Sequence, residues 1–282
     1  MRSLLIIGAT LLWHISLVWG AGASDTAKKE AQPYTERIPG SLAKFDMLPI
    51  PGGKYTPAAQ SADEKPKELA VGAFYMSKTE VTWELFDIFA FGLDQNQQEK
   101  LADDAKPKET RARPSHPYDA PDRGFGHDGY PALHMSHKSA TIFCKWLSDK
   151  TGHKYRLPTE IEWEYAARAK EGVLVDKDKL PKVAWLWENS DDKSHPVASL
   201  DPNAWGLYDM LGNVAEWCDG TDGKPCVRGG SWKTKTSKIA PRGYGFREVE
   251  QDSWRMKDQN IPKGTWWVSD GDFLGFRVVR DQ

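Results

Sequence analysis

The sequence predicts a mixed α+β domain in which little of the chain forms regular helices or strands. Three segments carry a helical pattern of apolar residues, and they are separated by short strand-like runs. The 282 residues include 24 glycines and 18 prolines, which favour turns and irregular connections, together with 13 tryptophans. This composition is less typical of a helical bundle or of a doubly wound parallel sheet.

The first 23 residues have the pattern of a secretory signal peptide. Arg2 precedes an apolar run over residues 4–18, and the small residues at 20–23 resemble a cleavage site. The alternative is a retained membrane anchor, but the run is shorter than the roughly 20 residues that a membrane-spanning helix needs, and it contains His14. We therefore expect a secreted or periplasmic protein that is not inserted in a membrane after cleavage.

Residues 24–44 are predicted to form a linker, which leaves residues 45–282 as the folded domain. The linker segment is polar and contains Pro33 and Pro39. The first strand is expected within residues 45–55, where it ends in a tight turn. A second strand is expected at residues 74–76, because that run is apolar and aromatic.

Three helices are predicted from apolar periodicity and from the residues at their ends. The first follows Thr82 and ends near residue 91. The second follows Ser136 and ends at Gly152, which can adopt the left-handed conformation that terminates helices. The third follows Thr159, which forms a T-x-x-E capping box with Glu162.

The remaining parts of the chain are predicted to be irregular. Residues 93–130 lack periodicity and are rich in proline and glycine, which indicates a long surface insertion. No further helix is predicted beyond residue 184, where short strands and turns follow one another without an internal repeat.

The charge balance gives no indication of a nucleic-acid or lipid partner. The chain has 38 basic and 40 acidic residues, for a net charge of −2. A binding site for nucleic acid or an anionic membrane usually shows an excess of positive charge. We therefore expect no nucleic-acid partner.

The three cysteines leave two arrangements open. Cys144 falls in the second helical pattern and is predicted to be a buried thiol. Cys218 and Cys226 flank a turn-like segment, and a hairpin there would bring them within bonding distance. A disulfide between them and a pair of free thiols both remain consistent with the sequence, because spacing alone does not fix disulfide geometry.

Several blocks of sequence resemble one known family. Together they are similar to the formylglycine-generating enzyme, or sulfatase-modifying factor, domain family, and they occur in the order typical of it over residues 45–282. The blocks are LPIPGGKY (48–55), FYMSKTEVT (74–82), PALHMS (131–136), YRLPTEIEWEYAARA (155–169), NAWGLYDMLGNVAEW (203–217), RGGSW (228–232) and LGFRVVR (274–280).

The resemblance implies a C-type-lectin-like fold with a bound calcium ion. The family pattern places calcium ligands at the side chains of Asp209 and Glu216 and at the carbonyl oxygens of Gly212 and Val214. Hard oxygen donors of this kind suit calcium. In the alternative interpretation, Asn213 and Glu216 only stabilise a turn. A second calcium site of the family has no good match at residues 184–190.

The catalytic part of the family pattern is not conserved in this chain. The resemblance implies a copper(I) ion held by two cysteines, three and eight residues after the serine of the GGS motif. Here Ser231 is followed at those distances by Thr234 and Ile239. Because copper(I) favours thiolate ligands, we expect no copper and no formylglycine-generating activity. A replacement pair formed by Cys218 and Cys226 would need a different site geometry.

Two alternative functions remain open. One is a binding module for a glycan, a peptide or a protein, and the other is an oxidase that uses a different metal with His137 as a ligand. The binding surface is predicted from aromatic residues near charged ones, although the same rings would also suit a core. The aromatic residues of this candidate surface are Tyr244, Phe246, Trp254, Trp266 and Trp267.

Overall fold

The computed structural model describes residues 31–59, 61–104, 122–169, 175–239, 242–255 and 269–282. The predicted signal peptide at residues 1–23 lies outside these ranges, as do Trp266 and Trp267. The helices are α1 (Trp83–Ala90), α2 (Gln97–Asp104), α3 (His137–Thr151), α4 (Glu160–Arg168), α5 (Leu180–Val183) and α6 (Thr236–Ile239), with 3₁₀ helices at Gly243–Gly245 and Asp252–Trp254.

The strands are short and form small sheets. They are β1 (Tyr34–Arg37), β2 (Lys44–Ile50), β3 (Gly53–Tyr55), β4 (Leu69–Val71), β5 (Phe74–Ser77), β6 (Tyr155–Arg156), β7 (Ala184–Trp185), β8 (Leu211–Gly212), β9 (Ala215–Asp219), β10 (Pro225–Arg228), β11 (Arg247–Val249), β12 (Leu274–Gly275) and β13 (Val279–Asp281).

Two sheets organise the domain. The five-stranded sheet has the order β1-β2-β5-β13-β6 and is antiparallel throughout. The C-terminal strand β13 therefore lies between β5 and β6, which are both distant from it in sequence. The four-stranded sheet has the order β11-β10-β9-β12, in which only β12 is parallel to its neighbour. Two-stranded sheets join β3 to β4 and β7 to β8.

The predicted linker at residues 24–44 is wrong in its C-terminal part. Tyr34–Arg37 forms β1, which pairs antiparallel with β2. Two side chains of β1 reach across the sheet: the hydroxyl of Tyr34 lies 3.0 Å from that of Tyr155, and Glu36 accepts a hydrogen bond from Nδ1 of His153 at 2.7 Å. A polar edge strand carries no apolar signal, and polar cross-strand bonds hold it instead.

The predicted helix ends are confirmed. Ser136 accepts a hydrogen bond from the backbone N of Ser139 at 3.0 Å, and Gly152 has φ of 74° after α3. Thr159 and Glu162 form the capping box at the start of α4. Capping satisfies backbone N–H groups that have no partner within the helix.

Helix α2 lies within the segment that was predicted to be irregular. The backbone N of Asn96 donates to Glu99, and the backbone N of Glu99 donates to Oδ1 of Asn96, each at 2.9 Å. This reciprocal pair is a capping box with asparagine at its first position. The prediction missed α2 because the helix has few apolar residues, so it shows no periodicity. Beyond residue 184, the short helix α6 also differs from the prediction.

The core consists of two clusters of buried side chains. In the first, Phe86 of α1 stacks on Phe143 of α3 with ring centroids 5.9 Å apart, and Phe276 lies 5.3 Å from Phe143. The second cluster gathers around Trp163 of α4. Strand β9 contributes Trp217 to the first cluster and Cys218 to the second, because successive side chains of a strand point to opposite faces.

The helices in the described ranges do not have the features of membrane-spanning segments. None of them combines the length and the apolar character that crossing a bilayer requires.

Candidate functional site

The segment 229–239, which follows β10, is the first part of the candidate site. Gly229 and Gly230 have φ of 85° and 70°, values that favour glycine. A Cβ atom on Gly229 would lie 3.0 Å from the carbonyl oxygen of Met210, and one on Gly230 would lie 2.8 Å from Cδ1 of Ile239. Both glycines are thus required by backbone conformation and by close packing.

The side chains of Thr234 and Ile239 both lie close to Gly230. A Cβ atom on Gly230 would contact Oγ1 of Thr234 at 3.1 Å as well as the Ile239 side chain. Oγ1 of Thr234 accepts a hydrogen bond from the backbone N of Ser231 at 3.0 Å. Ile239 is fully buried in the second core cluster. The fold therefore brings together the two positions at which the family pattern has copper-binding cysteines. In this chain they carry a hydroxyl group, which bonds within a turn, and a hydrocarbon side chain.

The three thiols of the chain lie elsewhere. Cys144 is on α3 in the first core cluster, whereas Cys218 and Cys226 are on β9 and β10 in the second. Burial raises the pKa of all three thiols, and that of Cys226 is raised to about 11. These cysteines are therefore protonated at neutral pH, whereas copper(I) is held by thiolates.

The candidate disulfide between Cys218 and Cys226 is not formed in this structure. The predicted hairpin is present, and the two residues lie directly opposite each other in the β9–β10 register, but both are free thiols. The sulfur of Cys226 is 3.8 Å from Oε2 of Glu160, and that of Cys218 is 3.6 Å from the carbonyl oxygen of Glu216. Each thiol therefore has its own acceptor.

The loop from Asp209 to Glu216 is the second part of the candidate site, and its backbone is strongly constrained. Asp209, Gly212 and Asn213 all have positive φ. A Cβ atom on Gly212 would overlap the backbone of Trp185, which pairs with it across β7 and β8. The side chain of Asn213 bonds to both backbone polar groups of His195, so it does stabilise the turn.

Glu216 is held by several donors. Arg277 donates from Nε to Oε2 and from Nη2 to Oε1, each at 2.6 Å. Nε1 of Trp163 also donates to Oε2 at 2.6 Å. Arg277 and Glu216 are almost completely buried. Because both oxygens of Glu216 already accept strong hydrogen bonds, this carboxylate is less available to a metal than the sequence predicted.

Asp209 differs from Glu216 because it has fewer donors. Its Oδ2 accepts a hydrogen bond from the backbone N of Ala198 at 2.7 Å. Burial raises the pKa of Asp209 to about 6, and the nearby charge of Glu216 adds to that increase. A small cavity of about 100 Å³ reaches Asp209, and Asp201 also lines it.

Glu80 is a functional candidate that the sequence analysis missed. Its side chain is 1% exposed, and its carboxyl group is hydrogen-bonded to that of Asp209. Burial raises the pKa of Glu80 well above its usual value, and the charges of Asp209 and Glu216 raise it further. The sequence signal for Glu80 was weak, because a single acidic residue between β5 and α1 does not by itself indicate a buried carboxyl group.

These carboxylates do not form a complete metal site by side chains alone. In the ranges that the structure describes, no three side chains of the types His, Cys, Asp or Glu are arranged to hold a metal ion. Any cation at Asp209 and Glu80 would therefore need backbone carbonyl groups as further ligands, as calcium sites commonly use.

His137 has a single carboxylate partner. Its Nε2 lies 3.0 Å from Oδ1 of Asp219, and its ring packs edge-on against Trp217 with a centroid distance of 5.7 Å. His134 is separate: its Nδ1 lies 3.0 Å from the carbonyl oxygen of Ser269. Within the described ranges, neither histidine belongs to a set of three side chains that could hold a metal.

The predicted aromatic binding surface is largely a core. Tyr244, Phe246 and Trp254 are buried, and Trp254 packs edge-on against Trp217 and Phe273. Tyr244 and Phe246 pack into the second core cluster and Trp254 packs into the first. Trp187 is instead the exposed aromatic residue next to segment 229–239: it is 48% exposed, and its backbone N donates to the carbonyl oxygen of Thr234 at 3.1 Å.

Comparison with family models finds one match that covers most of the chain. The matching model is described as the sulfatase-modifying factor enzyme 1-like domain, and it spans residues 39–282. It begins six residues before the domain boundary that the sequence predicted at residue 45, in the turn that joins β1 to β2.

Similar curated proteins include active and inactive relatives. The formylglycine-generating enzyme of Mus musculus is 28% identical over 93% of this chain and 82% of its own length. The inactive C-alpha-formylglycine-generating enzyme 2 of Mus musculus is 35% identical, but over only 36% of this chain and 37% of its own.

Two solved structures have a similar fold. Treponema denticola variable protein 1 has a TM-score of 0.63 and 24% identity, over 89% of this chain and 99% of its own. PvdO from Pseudomonas aeruginosa has a TM-score of 0.56 and 23% identity, over 88% of this chain and 100% of its own. At these identities the two structures support the fold and not a shared activity.

Proposed function

The chain belongs to the family of sulfatase-modifying factor enzyme 1-like domains, and we propose that it is a secreted, calcium-stabilised member without formylglycine-generating oxidase activity. The family and its fold are established by the comparisons, which agree with the predicted α+β, C-type-lectin-like architecture of low regular secondary structure. Secretion, calcium binding and the loss of activity are proposals that follow from this premise.

The observation that carries the loss of activity is the pair of side chains at Gly230. Both side chains lie close to Gly230, because a Cβ atom added to that glycine would lie 3.1 Å from Oγ1 of Thr234 and 2.8 Å from Cδ1 of Ile239. Neither residue can act as a soft ligand, and the three thiols of the chain are on α3, β9 and β10 instead. The residues present therefore do not fit copper(I).

Relatives with an altered activity support this proposal. The names of the inactive formylglycine-generating enzymes 2 of Mus musculus and Bos taurus state that activity is absent in those proteins. They are 35% and 37% identical to this chain over about a third of it. Loss of the oxidase within a retained fold thus has a precedent among the relatives of this chain.

Calcium is proposed at the Asp209 loop. Asp209 and Glu80 would supply carboxylate oxygens, and Gly212 and Val214 would supply carbonyl oxygens, while Glu216 remains bonded to Arg277. The buried pair of Glu80 and Asp209 supports this arrangement, because two neighbouring carboxyl groups are costly to ionise together unless a cation binds between them. Bound calcium would add positive charge to that of Arg277, which already bonds to Glu216.

Secretion is proposed from the N-terminal pattern alone. The apolar run over residues 4–18 is followed by small residues at 20–23, as in a cleaved signal peptide. Sequencing the N-terminus of protein recovered from the extracytoplasmic fraction tests this proposal. A mature chain that begins near Ser24 is expected, and a chain that retains Met1 in a membrane fraction would contradict it.

An assay of aldehyde formation tests the loss of activity. The purified chain is incubated with copper and a peptide that carries the sulfatase cysteine motif, and the peptide is then examined by mass spectrometry. The mouse formylglycine-generating enzyme serves as the positive control. We expect no aldehyde above the background without protein, and efficient conversion of cysteine to formylglycine would refute the proposal.

A second candidate function is binding of a glycan, a peptide or a protein. The exposed Trp187 next to Thr234 favours it, because exposed aromatic rings are common in recognition sites. A glycan array and a pull-down from the secreted fraction test it, with Trp187→Ala as the comparison. Binding that is weakened by W187A supports the candidate function, and the absence of binding in both experiments counts against it.

A further inference from the structure

A pocket lies at the edge of the four-stranded sheet, beside the C-terminal end of segment 229–239. It has a volume of about 390 Å³, within the range of small-molecule sites. Ser237 and Lys238 of α6 form one side, and Phe246 and Glu248 form the other, with Arg242 between them. Ile239, the next residue of α6, is buried in the core. Helix α6 therefore contributes Ile239 to the core and two other side chains to this pocket.

The pocket presents two positive charges that lack ion-pair partners. Lys238 and Arg242 are exposed, and among the described residues neither side chain has a carboxylate within the 4.0 Å of an ion pair. The guanidinium of Arg242 lies 6.0 Å above the ring of Phe246, which limits the directions it can take. Two cations in the lining of one pocket, with Glu248 as the one carboxylate among its described lining residues, favour the binding of a further anionic group such as a carboxylate.

Glu248 supplies a negative charge to the same pocket. It lies on β11, the edge strand, directly opposite Val227 of β10 in the register. Its side chain is half-buried, and it too lacks an ion pair among the residues described. Lys238 and Arg242 are near enough to favour the charged form of Glu248, but burial still raises its pKa. A partly buried carboxylate of this kind is stabilised when it accepts hydrogen bonds from a cationic donor.

We propose that this pocket binds a zwitterionic ligand of the amino acid or short peptide class. The carboxylate of the ligand contacts Lys238 and Arg242, its ammonium group contacts Glu248, and an apolar side chain packs beside Phe246. A simple dianion such as phosphate is disfavoured, because Glu248 would repel it. This inference does not depend on calcium binding or on the loss of the oxidase activity.

Calorimetric titration with four probes tests the ligand class. The probes are glycyl-phenylalanine, its N-acetyl form, its C-terminal amide and inorganic phosphate. We expect the unmodified dipeptide to bind about tenfold more tightly than either blocked form, because each blocked end removes one charge contact. The proposal is overturned if the dipeptide does not bind at about 10 mM, or if phosphate binds as tightly.

Charge-neutralising variants test which residues make the contacts. We expect Arg242→Gln and Glu248→Gln each to weaken dipeptide binding by about tenfold. Glu248→Gln should have little effect on the N-acetyl form, which has no ammonium group. Lys235→Gln, which removes an exposed charge outside the pocket, is the matched control. An equal loss in K235Q, or no loss in both pocket variants, refutes the proposal.

Discussion

At the scale of single residues, Thr234 and Ile239 lie close together without offering a soft ligand for a metal ion. Thr234 and Ile239 both lie near Gly230, because a Cβ atom added to that glycine would lie within 3.1 Å of both side chains. The hydroxyl of Thr234 bonds to the turn at Ser231, and the hydrocarbon of Ile239 completes the core. Both side chains are thus used in local hydrogen bonding and packing, and neither supplies a thiolate.

Restoring the two sulfur atoms should therefore restore copper(I) binding. We expect the double variant Thr234→Cys/Ile239→Cys to bind one copper(I) ion per chain, measured by competition with a chromogenic copper(I) chelator. The physical reason is that two thiolates side by side are a preferred copper(I) ligand set. The variant Thr234→Ser/Ile239→Val, which makes both side chains smaller without adding sulfur, is the control and should not bind. If the cysteine variant folds and still fails to compete, the two positions are not an ancestral copper site.

Glu80 is a second residue whose substitution should discriminate between models. In the absence of calcium, Glu80→Gln should raise the free energy of unfolding at neutral pH, because burial raises the pKa of Glu80, so folding must either protonate this carboxyl group or bury its charge, whereas glutamine is neutral in both states. With calcium, the same variant should bind the ion about tenfold more weakly, since one ligand loses its charge.

Thermal unfolding with calcium and with EDTA measures both effects of the Glu80 substitution. Glu68→Gln, at an exposed ion pair with Lys54, is the matched control and should change neither quantity appreciably. If calcium does not raise the melting temperature of the unsubstituted chain, calcium is not the cation that this cluster binds. If E80Q lowers stability in EDTA, the buried carboxylate is already compensated.

At the scale of secondary-structure elements, the capping box of α4 is connected to β6 and to the distant C-terminal strand β13. Glu162 bonds to the backbone N of Thr159 and also receives two hydrogen bonds from Arg156 of β6, each at 2.7 Å. Arg156 in turn donates to Asp281 of the C-terminal strand. The start of α4 is thus fixed to the five-stranded sheet as well as to its own first turn.

Loss of the cap should destabilise the fold by a measurable amount. We expect Thr159→Ala to lower the free energy of unfolding by about 1 kcal/mol, because the backbone N of Glu162 loses its acceptor. Urea unfolding followed by tryptophan fluorescence measures this change. Thr141→Ala, on the exposed side of α3, is the control and should be neutral or slightly stabilising, as alanine favours helices. Equal effects of the two substitutions would rule out a special contribution from the cap.

At the scale of the whole molecule, local patterns were predicted well and polar elements were not. The ends of α3 and α4 followed from Ser136 and Thr159, because capping depends on a few adjacent residues. Strand β1 and helix α2 were missed, because polar contacts hold them and no apolar periodicity reveals them. The family blocks established the fold class, which composition alone left broad.

The candidate site divided in the same way between local and long-range information. The spacing of Thr234 and Ile239 from Ser231 was enough to relate them to the cysteine positions of the family pattern. Glu80 could not, because it lies 129 positions before Asp209 and its importance depends on burial. The inward packing of Tyr244 and Trp254 was equally invisible, since an aromatic residue beside charges is compatible with a core or a surface.

The distribution of the cysteines makes them reporters of global unfolding. Cys144 is in the first core cluster and the other two are in the second, so their exposure requires both clusters to open. In reductant-treated protein, we expect a maleimide reagent to label none of them rapidly, and to label all three in urea with the same midpoint as tryptophan fluorescence. Ser237→Cys, at an exposed position, is the control and should be labelled at once.

Labelling at urea concentrations below the fluorescence midpoint would show that one cluster opens alone. A single reactive thiol in unfolded protein that was never reduced would show that Cys218 and Cys226 had formed a disulfide.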